Sequence, residues 1–249
     1  MKNRNILALI PARGGSKSIP RKNLLPILGK PLISWSIQHA LESHYINRVI
    51  VSTDDEEIRD VAIKHGAEAP FLRPKDISND LSTDLECFTN ALNWLEHNEN
   101  YIPDLVVHLR PTGPAREIKK IDDAISLFLN NDDCDSLRSI SLADQTPFKM
   151  WMLRDNRLLP AIVSDKDYSS TPRQALEKVY WQNGYIDIVK PYTILKLQSM
   201  TGKKILPFEI DNVRDIDYFH DIPLVEEHLQ KIISGKVDDD DNSEEFFSV

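Results

Sequence analysis

Short apolar runs that recur between helical patterns constrain this chain most. A run of four to six apolar residues fills one buried strand and is too short for a typical helix. Residues 6–10 (ILALI), 48–53 (RVIVST) and 104–109 (DLVVHL) are such runs, and 68–72 gives a shorter one. Between them apolar residues return at helical spacing. Ile33, Ile37, Ala40 and Leu41 follow Pro31, which suits a first helical turn. Ile58, Val61, Ala62 and His65 share a second face, closed by Gly66, and Leu85, Phe88, Leu92 and Leu95 a third. Strands alternating with amphipathic helices predict an α/β fold with a doubly wound, mostly parallel sheet.

Helix starts carry their own signals. Asp54 with Glu57, and Thr83 with Glu86, have the spacing of capping boxes, which accounts for Asp54 without a functional role. A fourth helix carries Ile118, Ile121, Ile125 and Phe128, and a strand follows near 136–142. From about 139 to 182 the rhythm breaks at Pro147, Trp151, Asn156, Pro160 and Pro172. This stretch reads as an insertion of short mixed strands whose aromatics are expected to serve a subunit interface. A strand at 184–189, a helix at 192–198, a strand at 205–210 and a helix with Val225, Leu229 and Ile232 complete one domain over 1–234. The acidic stretch 235–249 reads as a disordered tail.

The loop after the first strand is the chemical signal. Pro11 stops the strand, because proline cannot donate to a ladder. Gly14 and Gly15 follow, among the cations Arg13, Lys17, Arg21 and Lys22. Glycines let backbone amides approach a ligand, and ligands of open α/β sheets bind beyond the carboxyl ends of strands. The loop is therefore expected to hold a polyanion, best a run of phosphates. It is neither GxxxxGK[ST] nor GxGxxG. The chain has 30 basic and 39 acidic residues, net −9, so a general nucleic-acid or membrane surface is not expected, and a basic loop stands out. Cys87 and Cys134 show no metal or redox spacing, and the seven histidines form no HxH or HExxH motif. No stretch reads as a signal peptide or membrane span, so a reducing, cytoplasmic setting is expected.

Several segments, in order from Ile6 to about Leu229, resemble the acylneuraminate cytidylyltransferases, the CMP-sialic acid synthetase family. IPARGGSKSIPRKN resembles the family's opening loop. The resemblance implies that Ala12, Arg13, Gly14, Gly15, Ser16 and Lys22 hold the triphosphate and that Asn23 lies at the base. In LRPKDISNDLST, Arg73 and the backbone near Ser82 match positions that read cytosine. LRPTGPAR and PRQALEKVYWQNGYIDI resemble sugar-facing segments, which assigns Arg110, Arg173, Gln182 and Asn183 to the sugar. RDIDYFHDI resembles the paired aspartates, with Asp215 and Asp217 as Mg2+ positions. Departures fall on the sugar side. Family members that activate N-acetylneuraminate often have glutamine at Arg110, and bacterial members often have arginine at Trp181 and proline at Gln182.

The implied fold is a Rossmann-like nucleotidyltransferase with a dimerisation insertion. The implied reaction transfers CMP from CTP to the anomeric hydroxyl of a nonulosonic, sialic-acid-like sugar, releases pyrophosphate and needs Mg2+. Arg13, Lys22, Asp215 and Asp217 are the expected catalytic residues. Asp215 and Asp217 are two apart, so on an extended segment their carboxylates are expected on one side. A homodimer is expected from the family. The rival readings are a 3-deoxy-manno-octulosonate cytidylyltransferase and a silent nucleotide-binding subunit.

Overall fold

The computed structural model describes residues 4–236. The acidic stretch from 237 onward lies outside the described residues. The chain begins with β1 (Ile6–Pro11), passes a short ribbon of β2 (Pro26–Ile27) and β3 (Lys30–Pro31), and enters α1 (Leu32–Glu42). β4 (Arg48–Ser52), α2 (Glu56–Lys64), α3 (Asp84–Glu99), β5 (Leu105–His108), α4 (Ile118–Leu129) and β6 (Ser136–Leu142) continue the alternation. A hairpin of β7 (Trp151–Arg154) and β8 (Arg157–Pro160) projects before β9 (Tyr180–Val189) returns. α5 (Pro191–Leu195), β10 (Ile205–Glu209) and α6 (Ile222–Ile233) end the described chain.

The main sheet has the order β10-β6-β9-β5-β1-β4. β4 and β5 both pair with β1 in parallel, and β10 pairs in parallel with β6. β9 runs antiparallel between β5 and β6. The mostly parallel, doubly wound reading therefore stands, with one strand reversed. β1 places its successor β4 on one side and β5 on the other. This is a topological switch point, where a crevice opens beyond the strand ends. Leu7, Ala8, Leu9 and Ile10 are fully buried, as a strand covered on both faces requires.

Some local expectations change. Residues 68–72 make only two isolated bridges, Ile50 to Glu68 and Thr53 to Leu72. Pro70 between them has no N–H to continue a ladder. Pro31 precedes α1 as its cap residue, and Leu41 on that helix is exposed while Ile33 and Ile37 are buried. The cap of α2 is Asp55, not Asp54: its side chain accepts from the Ile58 amide at 3.0 Å. The Thr83–Glu86 capping box of α3 is present in both directions. The insertion read as 139–182 is narrower. β6 stays in the sheet to Leu142 and β9 resumes at Tyr180, so only 143–179 project, with β7 and β8 wholly exposed.

Candidate functional site

A cleft of about 330 Å3 opens where β1 and β5 end. Three walls meet there: the loop after β1 with Arg13, Ser16 and Lys22, the segment carrying Arg73 and Ser82, and the end of β5 with His108 and Arg110. The resemblance assigned the first two segments to the nucleotide and the third to the sugar, and the chain brings all three to one cleft.

The first wall is held from below. Ala12 is buried and its amide donates to the Ser52 carbonyl at 2.9 Å, so the loop leaves the sheet only at Arg13. The Gly14 amide donates to Asp54 at 2.9 Å. A Cβ on Gly14 would stand 2.8 Å from the Asp55 carboxylate, whereas one on Gly15 would meet nothing within 4 Å. Gly14 therefore anchors the loop, and its amide is already engaged, contrary to its expected phosphate role. Gly15 keeps the loop open. Asp54 and Asp55, which sequence reasoning set aside, are what hold it. Arg21 is also redirected: it pairs with Asp55 and Glu57 and ties the loop to α2, away from the cleft. Asn23 braces the loop by donating to the Arg13 carbonyl at 2.9 Å.

Of the remaining cations, Arg13 and Lys22 line the cleft, and Lys17 reaches Asp80 at its edge. Arg13 and Lys17 stand 2.9 and 2.6 Å from the carboxylate of Asp80, which occupies the place of a shared anion. Lys22 is almost buried, and its Nζ donates to the Ile216 carbonyl at 2.9 Å. The same ammonium stands 3.5 Å from Asp217. The basic loop and the distant aspartates are thus neighbours.

Asp215 and Asp217 differ from the expected pair. Asp217 is exposed, and Asp215 is sunk beside Arg116 and Gly113. Burial pushes the Asp215 carboxyl above the usual range, and the Arg116 guanidinium opposes that rise. The segment is pinned where the Ile216 amide donates to the Thr112 carbonyl at 2.8 Å. It then turns, because Asp221 accepts from the amides of Asp217 and Tyr218 at 2.9 and 2.7 Å. The two carboxylates therefore differ in burial, one sunk and one open to solvent. Asp215 Oδ1 is buried without a hydrogen-bond partner. A bare hard oxygen beside an exposed carboxylate fits a Mg2+ site completed by phosphate oxygens and water. Among the described residues no group of three His, Cys, Asp or Glu side chains could hold a metal alone.

The second wall positions Arg73. Its Nε donates to Ser78 Oγ at 3.0 Å and its Nη1 to Cys87 Sγ at 2.8 Å. Ser82 Oγ accepts from the Asn79 amide at 2.9 Å and shapes the turn beside it. Burial pushes the Cys87 thiol up, so it stays protonated and structural.

The third wall corrects the sugar-side expectations most. Arg110 reaches the cleft, and its Nη1 donates to the wholly buried Asp187 at 2.6 Å. Gln182 Nε2 donates to the same carboxylate at 3.1 Å. Asn183 is buried, donates to Ser141 Oγ at 2.7 Å and to the Ile210 carbonyl at 3.1 Å, and accepts from the Tyr185 amide at 3.1 Å. Both of its amide hydrogens and one lone pair are spent within the fold, and these bonds shape β9. Arg173 is exposed in the projecting segment, bonds the Asp144 carbonyl at 2.5 Å, and does not line the cleft of its own chain. Asp187, Arg116 and Arg138 carried no role in the sequence reading. Asp187 pairs with Arg138 and Arg116 with Ser36 across long stretches of chain, and no periodicity links them.

A cytidylyltransferase family model matches residues 7–179. The pseudaminic acid cytidylyltransferase of Campylobacter jejuni serotype O:2 is 47% identical over 131 residues, 53% of this chain and 55% of that protein. The N-acylneuraminate cytidylyltransferase of Escherichia coli O18:K1:H7 is 30% identical over 212 residues, 85% of this chain and 48% of that protein. The chain spans about half the length of these curated relatives. In fold it is similar to a CMP:2-keto-3-deoxy-manno-octonic acid synthetase complexed with CTP. The TM-score is 0.68 at 16% identity, covering 91% of this chain and 99% of that one. Among the described residues no helix is long and apolar enough to cross a membrane.

Proposed function

The chain belongs to the cytidylyltransferase family, and from that premise we propose that it transfers CMP from CTP to the anomeric hydroxyl of a nonulosonic acid, releasing pyrophosphate. The observation that carries this reading is the Lys22 ammonium, bonded to the Ile216 carbonyl at 2.9 Å and 3.5 Å from Asp217. It joins the phosphate loop to the acidic segment at one edge of the cleft.

Displacement at a phosphate needs positioning and charge neutralisation rather than covalent help from the protein. Arg13 and Lys17 would take the outer phosphates, with the open backbone at Gly15 and Ser16 beneath them. Lys22, held by the Ile216 carbonyl, would meet charge building nearer the α-phosphate. Arg73 and the turn at Ser82 would face the base. Asp215 and Asp217 would hold the Mg2+, whose chemistry when bound is charge neutralisation and polarisation of the α-phosphate. Asp217, the exposed member, is the readier ligand.

Asp80 competes for the cations a triphosphate uses. Asp80→Asn is expected to strengthen CTP binding about threefold, a modest gain for an exposed ion pair, as read by titration calorimetry. Unchanged or weaker binding contradicts the competition.

A second copy of the chain suits the projecting segment. Trp151, Leu153, Leu158 and Val163 are 48, 70, 61 and 93% exposed, more apolar surface than a lone arm leaves to water. Pairing there would explain why Arg173 points away from its own cleft. A monomer by sedimentation at micromolar concentration overturns the pairing.

The reaction is tested by pyrophosphate release from CTP and Mg2+ with a panel of 2-keto-3-deoxy sugar acids. Turnover with a nonulosonic acid supports the proposal. Preference for 3-deoxy-manno-octulosonate, or CTP binding without turnover, contradicts it in favour of the rival activity or a silent subunit.

A further inference from the structure

We propose that Asp187 is a positioning residue that, with Arg138 and a bulge in β9, fixes Arg110 as the anchor for the carboxylate of the acceptor sugar. The inference rests on the proposed reaction and names how this cleft selects an anionic acceptor.

The bulge is where β9 departs from β6. Asp187 faces Arg138, yet Gln182 already faces Ile140, so Asn183 to Ile186 are spanned by Ser139 alone. Bulges re-aim side chains and gather beside functional sites. Here three of the four loose residues are captured. Asn183 is held by Ser141 and the Ile210 carbonyl, the Tyr185 carbonyl accepts from Arg116 at 2.6 Å, and the Ile186 amide donates to Ser139 Oγ at 3.0 Å. The excursion returns Gln182 to within 3.1 Å of Asp187, five residues on, and puts two β9 side chains on one point under the cleft.

That point carries Arg110. Asp187 is wholly buried and takes Nη1 of Arg110 at 2.6 Å and Nη1 of Arg138 at 2.7 Å. Two guanidiniums on one carboxylate leave positive charge over, and only Arg110 lines the cleft. Arg138 is buried and also donates to the Met200 carbonyl, so it cannot turn outward. Gly184, at φ +72°, gives the guanidinium its bed: a Cβ there would stand 3.4 Å from Arg110 Nη1. One edge of the fork is thus fixed and the rest remains for a ligand. An arginine fork matches a carboxylate in a bidentate manner, and its value depends on being held in place. The nearest rival anion is Asp84, half exposed and 3.5 Å from Nη2. His108 is buried at 3.8 Å from Asp187, and burial holds its imidazole neutral, so it does not compete for the carboxylate as a cation.

Arg110→Gln, Asp187→Asn and the double variant test this in steady-state kinetics with CTP and the accepted sugar varied separately. Each single variant is expected to raise KM for the sugar about tenfold, the loss of one charge-assisted contact, with KM for CTP within about twofold of wild type. The double variant is expected to be no worse than Arg110→Gln, since Asp187 acts only through Arg110. Additive losses, or a rise in KM for CTP instead, overturn the assignment. Asp187→Asn could lower stability, so Gln182→Leu is the milder probe: it removes the amide from Asp187 without touching the buried ion pairs. An expected rise of about two- to threefold in sugar KM alone supports the relay, and no change speaks against it. Wild-type protein that turns over no 2-keto sugar acid overturns both readings. Turnover with unshifted variants overturns this one alone.

Discussion

Asp217→Ala is expected to lower kcat by a hundredfold to a thousandfold or more, roughly the cost of removing one group that stabilises transition-state charge, while the protein keeps its melting temperature. The stability half of the expectation comes from exposure. The Asp217 side chain is 70% exposed, and its ion pair with Lys22 is 3.5 Å long. The kinetic half comes from placement. Asp217 is the carboxylate that solvent, phosphate oxygens and a metal ion can all reach, beside an ammonium already fixed by the Ile216 carbonyl. Asp217→Ala with near-normal turnover at saturating Mg2+ removes the metal role. A variant that melts early would mean that the acidic turn, rather than the chemistry, depends on this side chain.

Arg116→Ala is expected to cost about 3–5 kcal/mol of folding stability, the range for stripping one partner from a buried charged network. The guanidinium is 1% exposed, and burial holds its pKa down to about 10, so it remains charged at neutral pH. It donates to the carbonyls of Tyr185 at 2.6 Å, Arg110 at 2.8 Å and Gly113, and to Ser36 Oγ at 3.1 Å. It thereby sews the end of β5 to α1 and to the β9 bulge. Its loss strands the Tyr185 and Gly113 carbonyls, while that of Arg110 still accepts from Ser36 Oγ, and it takes from the buried Asp215 carboxyl the largest of its opposing charges. Arg116→Lys keeps the charge without the fork and should fall between, since one ammonium cannot reach all four acceptors. Urea unfolding measures both variants. A loss below about 0.5 kcal/mol for Arg116→Ala, the scale of a surface change, contradicts the account.

The parts legible in the sequence are those whose cause is local. ILALI before Pro11 reads as a buried strand because its neighbours are its own covalent sequence, and Thr83 with Glu86 caps α3 as their spacing requires. The loop of glycines and cations was readable for the same reason as a turn at the end of β1, where Arg13, Ser16 and Lys22 line the cleft. What escaped depends on contacts between distant segments. Asp54 looked like a helix cap, but Asp55 caps and Asp54 holds Gly14 across 40 positions. Arg21 counted among the loop's cations, but it pairs with Asp55 and Glu57 on the side of α2. Asn183 sits in a motif that faces a sugar in the family, yet a bulge turns it into the fold's own hydrogen-bond network. Asp187 hides within an apolar strand, YIDIV, and only the pairing of β9 with β6 shows that two arginines share it. Its signal, an acid in a run otherwise fit for burial, was visible. A buried charge needs a partner, and the partner's identity was not.

The central claim is that the glycine loop and the acidic turn serve one nucleotide. A crystal structure with CTP and Mn2+ in place of Mg2+ tests it most directly. The account predicts an anomalous manganese peak against the Asp217 carboxylate, bridged by a triphosphate whose other contacts are Lys22, Arg13 and the backbone at Gly15. A triphosphate seated away from Lys22, or manganese bound without either aspartate, would contradict it.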